Sequence, residues 1–156
     1  MSAKSDQLEK LETAYEEFRA LIADLPDEAF GEMFLGEWNL ANVLAHMAGW
    51  FREMGGAFER VGRGERPSPP GVDYSDVDAW NAKFAAAAKP GRTALDEFDA
   101  AFRAYRDAAA ALREDLFGVD PEKGRPRIGD RIIETSGWGH FEEHLPAVRE
   151  WLAART

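Results

Sequence analysis

The feature that most constrains the fold is the spacing of apolar residues, which recur every three or four positions along most of the chain. In the first segment the spacing gives one unbroken run of large side chains: Leu8, Leu11, Tyr15, Phe18, Ile22 and Leu25. Because an α-helix has about 3.6 residues per turn, these side chains lie on one face and form an apolar stripe. We therefore predict a helix with Ser5 as its N-cap that ends at Pro26.

Four further segments show the same periodicity, three of them long and one short. We predict that the second helix begins at Asn39, whose side chain can accept a hydrogen bond from a free N–H of the first turn. A short helix covers roughly residues 76–89, and the fourth begins near Thr93, which resembles the start of a capping box with Asp96. The last helix is predicted from about residue 130 to residue 154.

Two loops rich in proline and glycine separate the later helices. The stretch GRGERPSPPG, which starts at Gly62, cannot continue a helix and predicts a long crossover loop after the second helix. The stretch GVDPEKGRPRIG precedes the last helix in the same way. Because no alternating pattern of useful length predicts a strand, we expect an all-α protein. It should be a single domain over residues 1–156, a four-helix bundle with one additional short helix.

Composition and charge exclude several classes of function. Apolar residues make up 45% of the chain, which is enough for a folded core. The net charge of −10 opposes binding to nucleic acid phosphates and to anionic lipid, so we expect neither nucleic acid nor a membrane as partner. The absence of cysteine excludes disulfides, thiolate metal sites and a cysteine nucleophile. The first residues lack the apolar stretch of a signal peptide, and we expect a cytoplasmic protein.

The chain has three histidines, and all three are predicted to face the same interior. His140 and His144 are four residues apart, in the middle of the apolar stripe of the last helix. At that spacing Cβ atoms are about 5–6 Å apart, so both rings can reach one ion at about 2.0–2.1 Å. His46 lies within half a turn of the apolar line on the second helix, and its ring therefore also points inward.

Two interpretations of these histidines stay open from the pattern alone. Each ring is either a core histidine with its own hydrogen-bond partner, or one of three ligands to a single cation. The motif is not that of a zincin, HExxH, because Phe141 follows His140 directly. Glu143 lies at the edge of the stripe, where it either orients a histidine or remains a solvated flank residue.

Three stretches of the sequence together resemble a known family. They are WNLANVLAHMAGW at residues 38–50, AWN at residues 79–81 and GWGHFEEHLPAVREWL at residues 137–152. They are similar to the DinB-like superfamily and, within it, to four-helix-bundle proteins of the ClbS/DfsB type, over nearly the whole chain. The resemblance implies a metal-binding triad of one histidine from the second helix and two from the last, which here are His46, His140 and His144.

The resemblance also implies a class of chemistry. The superfamily includes thiol-dependent transferases and isomerases, and its ClbS-type branch includes a self-protection hydrolase that acts on an electrophilic natural product. Three histidine ligands leave a position for water or substrate, and imidazole suits zinc or nickel. We expect hydrolysis or group transfer on a small electrophilic molecule, in detoxification or self-protection, by a monomer or homodimer. The alternatives are a non-catalytic module that sequesters such a molecule and a structural bundle with core histidines.

Further candidate residues lie near His46 on the second helix. Glu53 lies about 10 Å along the axis from His46 and cannot easily share its ion. It is therefore expected either as a pocket-wall base or substrate contact, or as a solvated charge at the edge of the helix. Asn42 is expected either to bond a ligand or to help cap the start of the helix. Gly49 either leaves room for a ligand or permits close helix packing.

The remaining candidates are aromatic or amide residues. Trp50 and Trp80 are expected in the substrate pocket, although large aromatic residues are more often part of the core. Asn81 is expected as a catalytic residue, since it places an amide on or beside the apolar stripe of the short helix, and the resemblance marks Trp80 and Asn81 as a pair. Tyr105 is expected either to supply a catalytic hydroxyl at the pocket rim or only to pack.

Overall fold

The computed structural model describes residues 2–155 as a bundle of helices with two short hairpins between them. Its elements, in chain order, are α1 (Ala3–Ile22), β1 (Met33–Leu35), β2 (Trp38–Asn39), α2 (Leu40–Gly62), α3 (Val77–Ala86), α4 (Arg92–Ala111), β3 (Val119–Asp120), β4 (Arg125–Pro126), α5 (Ile128–Ile133) and α6 (Gly139–Ala154). The predicted all-α class is confirmed, and a long loop follows the second helix as expected. Within residues 2–155, every helix is too short or too polar to span a bilayer.

Four helices meet at the centre of the bundle and bury a cluster of aromatic rings. α1, α2, α4 and α6 each contribute a phenylalanine that is at most 1% exposed: Phe18, Phe51, Phe98 and Phe141. Tyr15 of α1 stacks on Phe102 of α4 with ring centroids 4.0 Å apart. Because aromatic rings bury large apolar areas, this cluster is a main source of the bundle's stability.

The starts of the first two helices depend on local hydrogen bonds. α2 begins after Asn39 as predicted, and the Asn39 Oδ1 accepts a hydrogen bond from the N–H of Asn42 at 2.8 Å. The N-cap of α1 is Ser2, so the prediction of Ser5 is wrong by three positions. The Ser5 N–H donates to the Ser2 hydroxyl at 3.0 Å, and the Ser5 hydroxyl oxygen accepts from the Ser2 N–H. Ser5 is therefore the second member of the capping box and not its first.

The predicted capping box at Thr93 is wrong, because α4 begins at Arg92 with Gly91 as its N-cap. The free N–H of Arg92 donates to the Asp27 Oδ1 at 3.2 Å, so a distant part of the chain supplies the cap. Gly91 has a φ of 56°, and a Cβ there would lie 3.1 Å from the Asp27 carboxyl carbon. The residues that cap this helix are 65 positions apart, which no local pattern reveals.

The last helix is interrupted, whereas the sequence predicts one helix over residues 130–154. A π-helical turn at Glu134–Trp138 separates α5 from α6. Within this turn Gly137 leaves helical backbone, with φ −100° and ψ −108°. A Cβ at Gly137 would lie 2.9 Å from the Tyr105 hydroxyl oxygen, so only glycine fits without displacing a neighbour. Such turns are frequent at functional sites, and this one comes just before His140.

α3 packs directly on α2, and three contacts fix its position. A Cβ at Gly49 would overlap the ring of Phe84, so this glycine permits close helix packing and does not open space for a ligand. The Asn42 side-chain N–H donates to the carbonyl oxygen of Ala85 at 3.0 Å. Trp50 meets the Phe84 ring edge to face, with centroids 5.3 Å apart. The C-terminal half of the short helix is therefore held against α2.

We predict that Gly49→Ala lowers the free energy of unfolding by about 1–3 kcal/mol, because the added methyl group must displace the Phe84 ring. Urea denaturation measures the change. Gly31→Ala is the matched control, since nothing lies within 4 Å of a Cβ at Gly31, and its effect should stay within about 0.5 kcal/mol. Equal stability of the two variants would contradict the close contact between α2 and α3.

Candidate metal centre

The three histidines come together in the interior, and the prediction that they face the same space is confirmed. His46 lies on α2, and His140 and His144 lie one turn apart on α6. Their side chains are buried, with exposed fractions of 5%, 6% and 8%. The Nε2 of His140 is 3.0 Å from that of His46 and 3.1 Å from that of His144, and the third Nε2 separation is 3.2 Å.

Hydrogen bonds among the rings do not satisfy this arrangement. Each Nε2 has a single in-plane position, which holds either a proton or a lone pair. When three such positions converge on one point, a proton on one nitrogen cannot form a good bond to both of the others. A single cation bound by all three lone pairs satisfies every Nε2 atom at once.

The spacing also agrees with a tetrahedral metal site. Metal–nitrogen bonds of about 2.0–2.1 Å at tetrahedral angles place the ligand nitrogens about 3.3–3.4 Å apart. The separations of 3.0 to 3.2 Å here are close to that value. Three imidazole nitrogens suit zinc, nickel and related divalent ions. The residues therefore fit a transition metal with three protein ligands and one position left for another ligand.

Burial is the main cause that lowers the pKa of all three rings. The pKa of His46 falls to about 4 through burial first and the nearby His144 ring second, and the Asn81 side chain acts in the opposite direction. Burial holds the pKa of His140 well below its usual value, with smaller contributions from the other two rings. Burial also lowers the pKa of His144, and Glu143 opposes this shift. The rings are neutral at pH 7, as metal binding requires.

The triad lies on the wall of a cavity of about 320 Å³. The cavity lies where α2, α3 and α6 meet, next to the π-helical turn. Its walls are mainly apolar and aromatic, and its lining consists of Trp38, His46, Trp50, Met54, Val77, Asn81, Thr135, Ser136, His140, Glu143 and His144. A ligand in this cavity would contact the open side of the triad.

A larger groove of about 620 Å³ lies elsewhere, between α1 and α6. Its lining includes four carboxylates but no histidine. One of the four carboxylates, that of Glu17, is paired with Arg149. Because it contains no convergent set of reactive groups, we assign the chemistry to the smaller cavity beside the triad.

Three of the other predicted site residues lie on the cavity wall. Trp50 and Asn81 are joined to each other, since the Trp50 indole N–H donates to the Asn81 Oδ1 at 2.7 Å. Glu143 lines the cavity with an exposed carboxylate, one residue before His144. The structure therefore brings an indole, an amide and a carboxylate next to the triad.

Asn42 and Glu53 do not line this cavity. Asn42 uses its side chain within the fold, where the Oδ1 accepts from the Asn39 N–H at 2.9 Å and the Nδ2 holds α3. Asn42 therefore helps to cap the start of α2, which was the alternative to bonding a ligand. Glu53 accepts a hydrogen bond from the Tyr74 hydroxyl at 3.4 Å and so contacts the long loop after α2. Asn42 lies about one turn before His46 and Glu53 about two turns after it, which separates both residues from the triad.

Trp80 and Tyr105 also lie off the cavity wall. The Trp80 indole N–H donates to the carbonyl oxygen of Asp73 at 2.9 Å, which joins α3 to the loop before it. Tyr105 is fully buried, and its hydroxyl lies 2.8 Å from the Ser136 Oγ. Burial raises the pKa of Tyr105, so the hydroxyl stays protonated. Tyr105 lies behind Ser136 and not at the pocket rim, because its ring is on the face of α4 that packs into the hydrophobic core.

The cavity includes residues that the sequence does not single out. Ser136 lies one turn before His140 on the predicted stripe, so the helical periodicity could have identified it. Thr135 reaches the wall only because of the π-helical turn. Val77 reaches it because the long loop places the start of α3 there, and neither feature follows from local periodicity.

We predict that the metal-stripped protein loses stability as the pH falls from about 6.5 to 5. Unfolded histidines have a pKa of about 6.5, and folding lowers it, so unfolding takes up protons in this range. Well above pH 6.5 the rings are neutral in both the folded and the unfolded protein, so they add no pH dependence to the free energy of unfolding. Below about pH 6.5 that free energy falls by up to about 1.4 kcal/mol per pH unit for each ring. Urea denaturation at several pH values measures the slope.

His140→Gln is the matched variant for this experiment, because it removes one titrating ring and keeps a polar side chain. Its slope between pH 6.5 and 5 should be smaller than that of the unmodified protein. Identical slopes would contradict the neutral state assigned to buried His140.

Comparison with known proteins gives a family and a fold. A sequence model of the DinB superfamily matches residues 10–153. DfsB, described as a sibling lethal factor precursor, has a solved structure with a TM-score of 0.77 and 18% identity, covering 99% of this chain and 98% of that one. A protein from Streptococcus pneumoniae has a TM-score of 0.76 and 14% identity, covering 95% of this chain and 89% of that one.

An uncharacterised protein from Clostridium difficile 630 has a TM-score of 0.73 and 14% identity, covering 95% of this chain and 94% of that one. At these identities the similarity to solved structures shows the fold alone. No curated protein sequence matches this chain. The family match includes α2 and α6, which carry all three histidines, and the chain belongs to the DinB superfamily.

Proposed function

We propose that this protein binds one divalent transition metal ion, zinc or nickel, and acts on a small electrophilic molecule in the cavity beside it. The observation that carries the proposal is the convergence of three buried Nε2 atoms, at most 3.2 Å apart, on the wall of that cavity. When bound there, the ion supplies Lewis acidity toward a water molecule or an electrophilic atom of the substrate.

The cavity supports a compact and largely apolar substrate. Its volume of about 320 Å³ is near the lower end of the range for small-molecule sites. Trp38, Trp50 and Met54 supply apolar surface on the side of α2, and Val77 supplies it on the side of α3. Such walls bind uncharged flat or branched groups most favourably, because binding removes the apolar surface of these groups from water.

The charges on the wall favour hydrolysis over thiol transfer. Within residues 2–155, no lysine or arginine lines the cavity. A thiol cosubstrate with several carboxylates or phosphates would therefore lack the cationic partners that normally bind such groups. Water needs no such partner, and we infer that the protein is a hydrolase.

Glu143 and Ser136 have different roles in this proposal. Glu143 supplies the one carboxylate among the described residues of the wall. We propose that this carboxylate accepts a proton from the attacking water. The Ser136 hydroxyl donates to the Ile132 carbonyl oxygen at 2.6 Å, so its proton is already engaged. Ser136 therefore accepts hydrogen bonds from a bound ligand and is not a nucleophile.

The resemblance of three stretches of the sequence to ClbS/DfsB-type proteins is the reason that we include a role in self-protection or detoxification in the proposal. A small, apolar and reactive compound matches both the cavity and that role. We propose that the chain belongs to the ClbS/DfsB branch of its superfamily. Binding without turnover would instead make the protein a sequestration module, and the second experiment below distinguishes the two.

The first experiment measures metal binding. The protein, purified without a histidine tag and stripped by chelation, should bind one equivalent of Zn²⁺ or Ni²⁺ in a calorimetric titration. His140→Ala should weaken the affinity by at least about 100-fold, because one of three ligands is lost, and the far-ultraviolet circular dichroism should not change. Glu142→Gln is the matched control, since it is an exposed neighbour on the same helix. No binding by the unmodified protein, or equal binding by His140→Ala, would contradict the proposal.

The second experiment measures turnover with p-nitrophenyl acetate as a small apolar electrophile. The Zn²⁺-loaded protein should hydrolyse it, and Glu143→Gln should lower the rate by about 10²-fold or more while it binds metal normally. Glu142→Gln again serves as the control. If the metal-loaded protein binds such compounds without hydrolysing any of them, the sequestration alternative gains support.

A further inference from the structure

The His46 ring has one nitrogen without a partner. Its Nε2 faces the other two histidines, whereas its Nδ1 is buried and has no hydrogen-bond partner among the described residues. A buried polar atom in this state is costly. When a histidine binds a metal through Nε2, its Nδ1 carries a proton and needs an acceptor, which also fixes the orientation of the ring.

Asn81 of α3 provides a suitable acceptor beside this ring. Its Oδ1 accepts from the Trp50 indole N–H at 2.7 Å, and because an indole can only donate, the contact establishes which way the amide faces. A carbonyl oxygen has two lone pairs, so one remains free. Asn81 and His46 line the same wall of the cavity.

We propose that Asn81 is a positioning residue that accepts a hydrogen bond from the Nδ1–H of His46 and holds the ring ready for metal binding. The same Oδ1 keeps its bond to Trp50, so α3 connects the ligand histidine to the wall of the cavity. The inference rests on the proposed function, because the proton is required on Nδ1 when Nε2 binds a metal. It changes the role of Asn81 from a catalytic residue to one that acts through His46.

The docking of α3 does not depend on Asn81 alone, which makes the proposal testable. α3 is held by the Phe84 ring at Gly49 and by the bond from Asn42 to the Ala85 carbonyl oxygen. It also has its own N-cap, Asp76, whose carboxylate accepts from the Ala79 N–H at 3.1 Å. Substitution of Asn81 should therefore leave the helix in place.

The experiment compares the Zn²⁺ affinity of Asn81→Leu, Asn81→Asp and Asn42→Ala with that of the unmodified protein. Asn81→Leu removes the acceptor and should weaken affinity by about 10- to 100-fold. Asn81→Asp keeps an acceptor oxygen and should bind at least as tightly as the unmodified protein. Asn42→Ala breaks the cap of α2 and its bond to α3, so it should lower the melting temperature but change the affinity by less than about threefold.

A second measurement detects the hydrogen bond itself. In the Zn²⁺-loaded protein, nitrogen-15 NMR should show a slowly exchanging Nδ1–H signal from His46 that persists in Asn81→Asp and is lost in Asn81→Leu. Unchanged affinity and signal in Asn81→Leu would overturn the role of Asn81 and leave the metal site intact. An equal loss of affinity in Asn42→Ala would assign the effect to α3 docking and overturn the proposal. No metal binding by the unmodified protein would overturn both this inference and the proposed function.

Discussion

The interaction on which the site depends is the approach of three neutral imidazole rings in an apolar interior. Their Nε2 atoms lie 3.0 to 3.2 Å apart and converge on one point, so a proton on one nitrogen cannot form good hydrogen bonds to both of the others. Burial of polar atoms without partners is unfavourable, so the arrangement is stable only because the aromatic core of the bundle holds α2 and α6 in place. A fold that retains this destabilising cluster has the properties of a binding site and not of an ordinary core.

The interruption between α5 and α6 relates the backbone to the chemistry. Gly137 leaves helical geometry where its missing side chain makes room for Leu11 and Tyr105. Thr135 and Ser136 of the π-helical turn line the cavity beside the triad. Ser136 would face the same side as His140 in a regular helix, because it lies four residues before it, whereas Thr135 lies outside that stripe. The backbone irregularity therefore lies directly beside the candidate site.

The sequence predicts what local periodicity determines, and little else. The cap at Asn39 and the shared face of His140 and His144 depend on residues within one turn of each other, and both were predictable. The start of α4 was not, because Asp27 supplies its cap from a distant turn. Periodicity also placed Tyr105 correctly on an inward face, but could not show that its hydroxyl ends behind Ser136. The four short strands contain two or three residues each, too few for an alternating pattern to be visible.

X-ray absorption spectroscopy of the protein loaded with one equivalent of Zn²⁺ tests the central claim most directly, because it reports the atoms bound to the ion. The account predicts three imidazole nitrogens at about 2.0–2.1 Å, with a remaining position filled by an oxygen or nitrogen from solvent or ligand. The His46→Ala variant should show fewer imidazole ligands in the same spectrum. A shell made mainly of oxygen atoms, or one imidazole that is unaffected by His46→Ala, would place the ion on the surface and contradict the account.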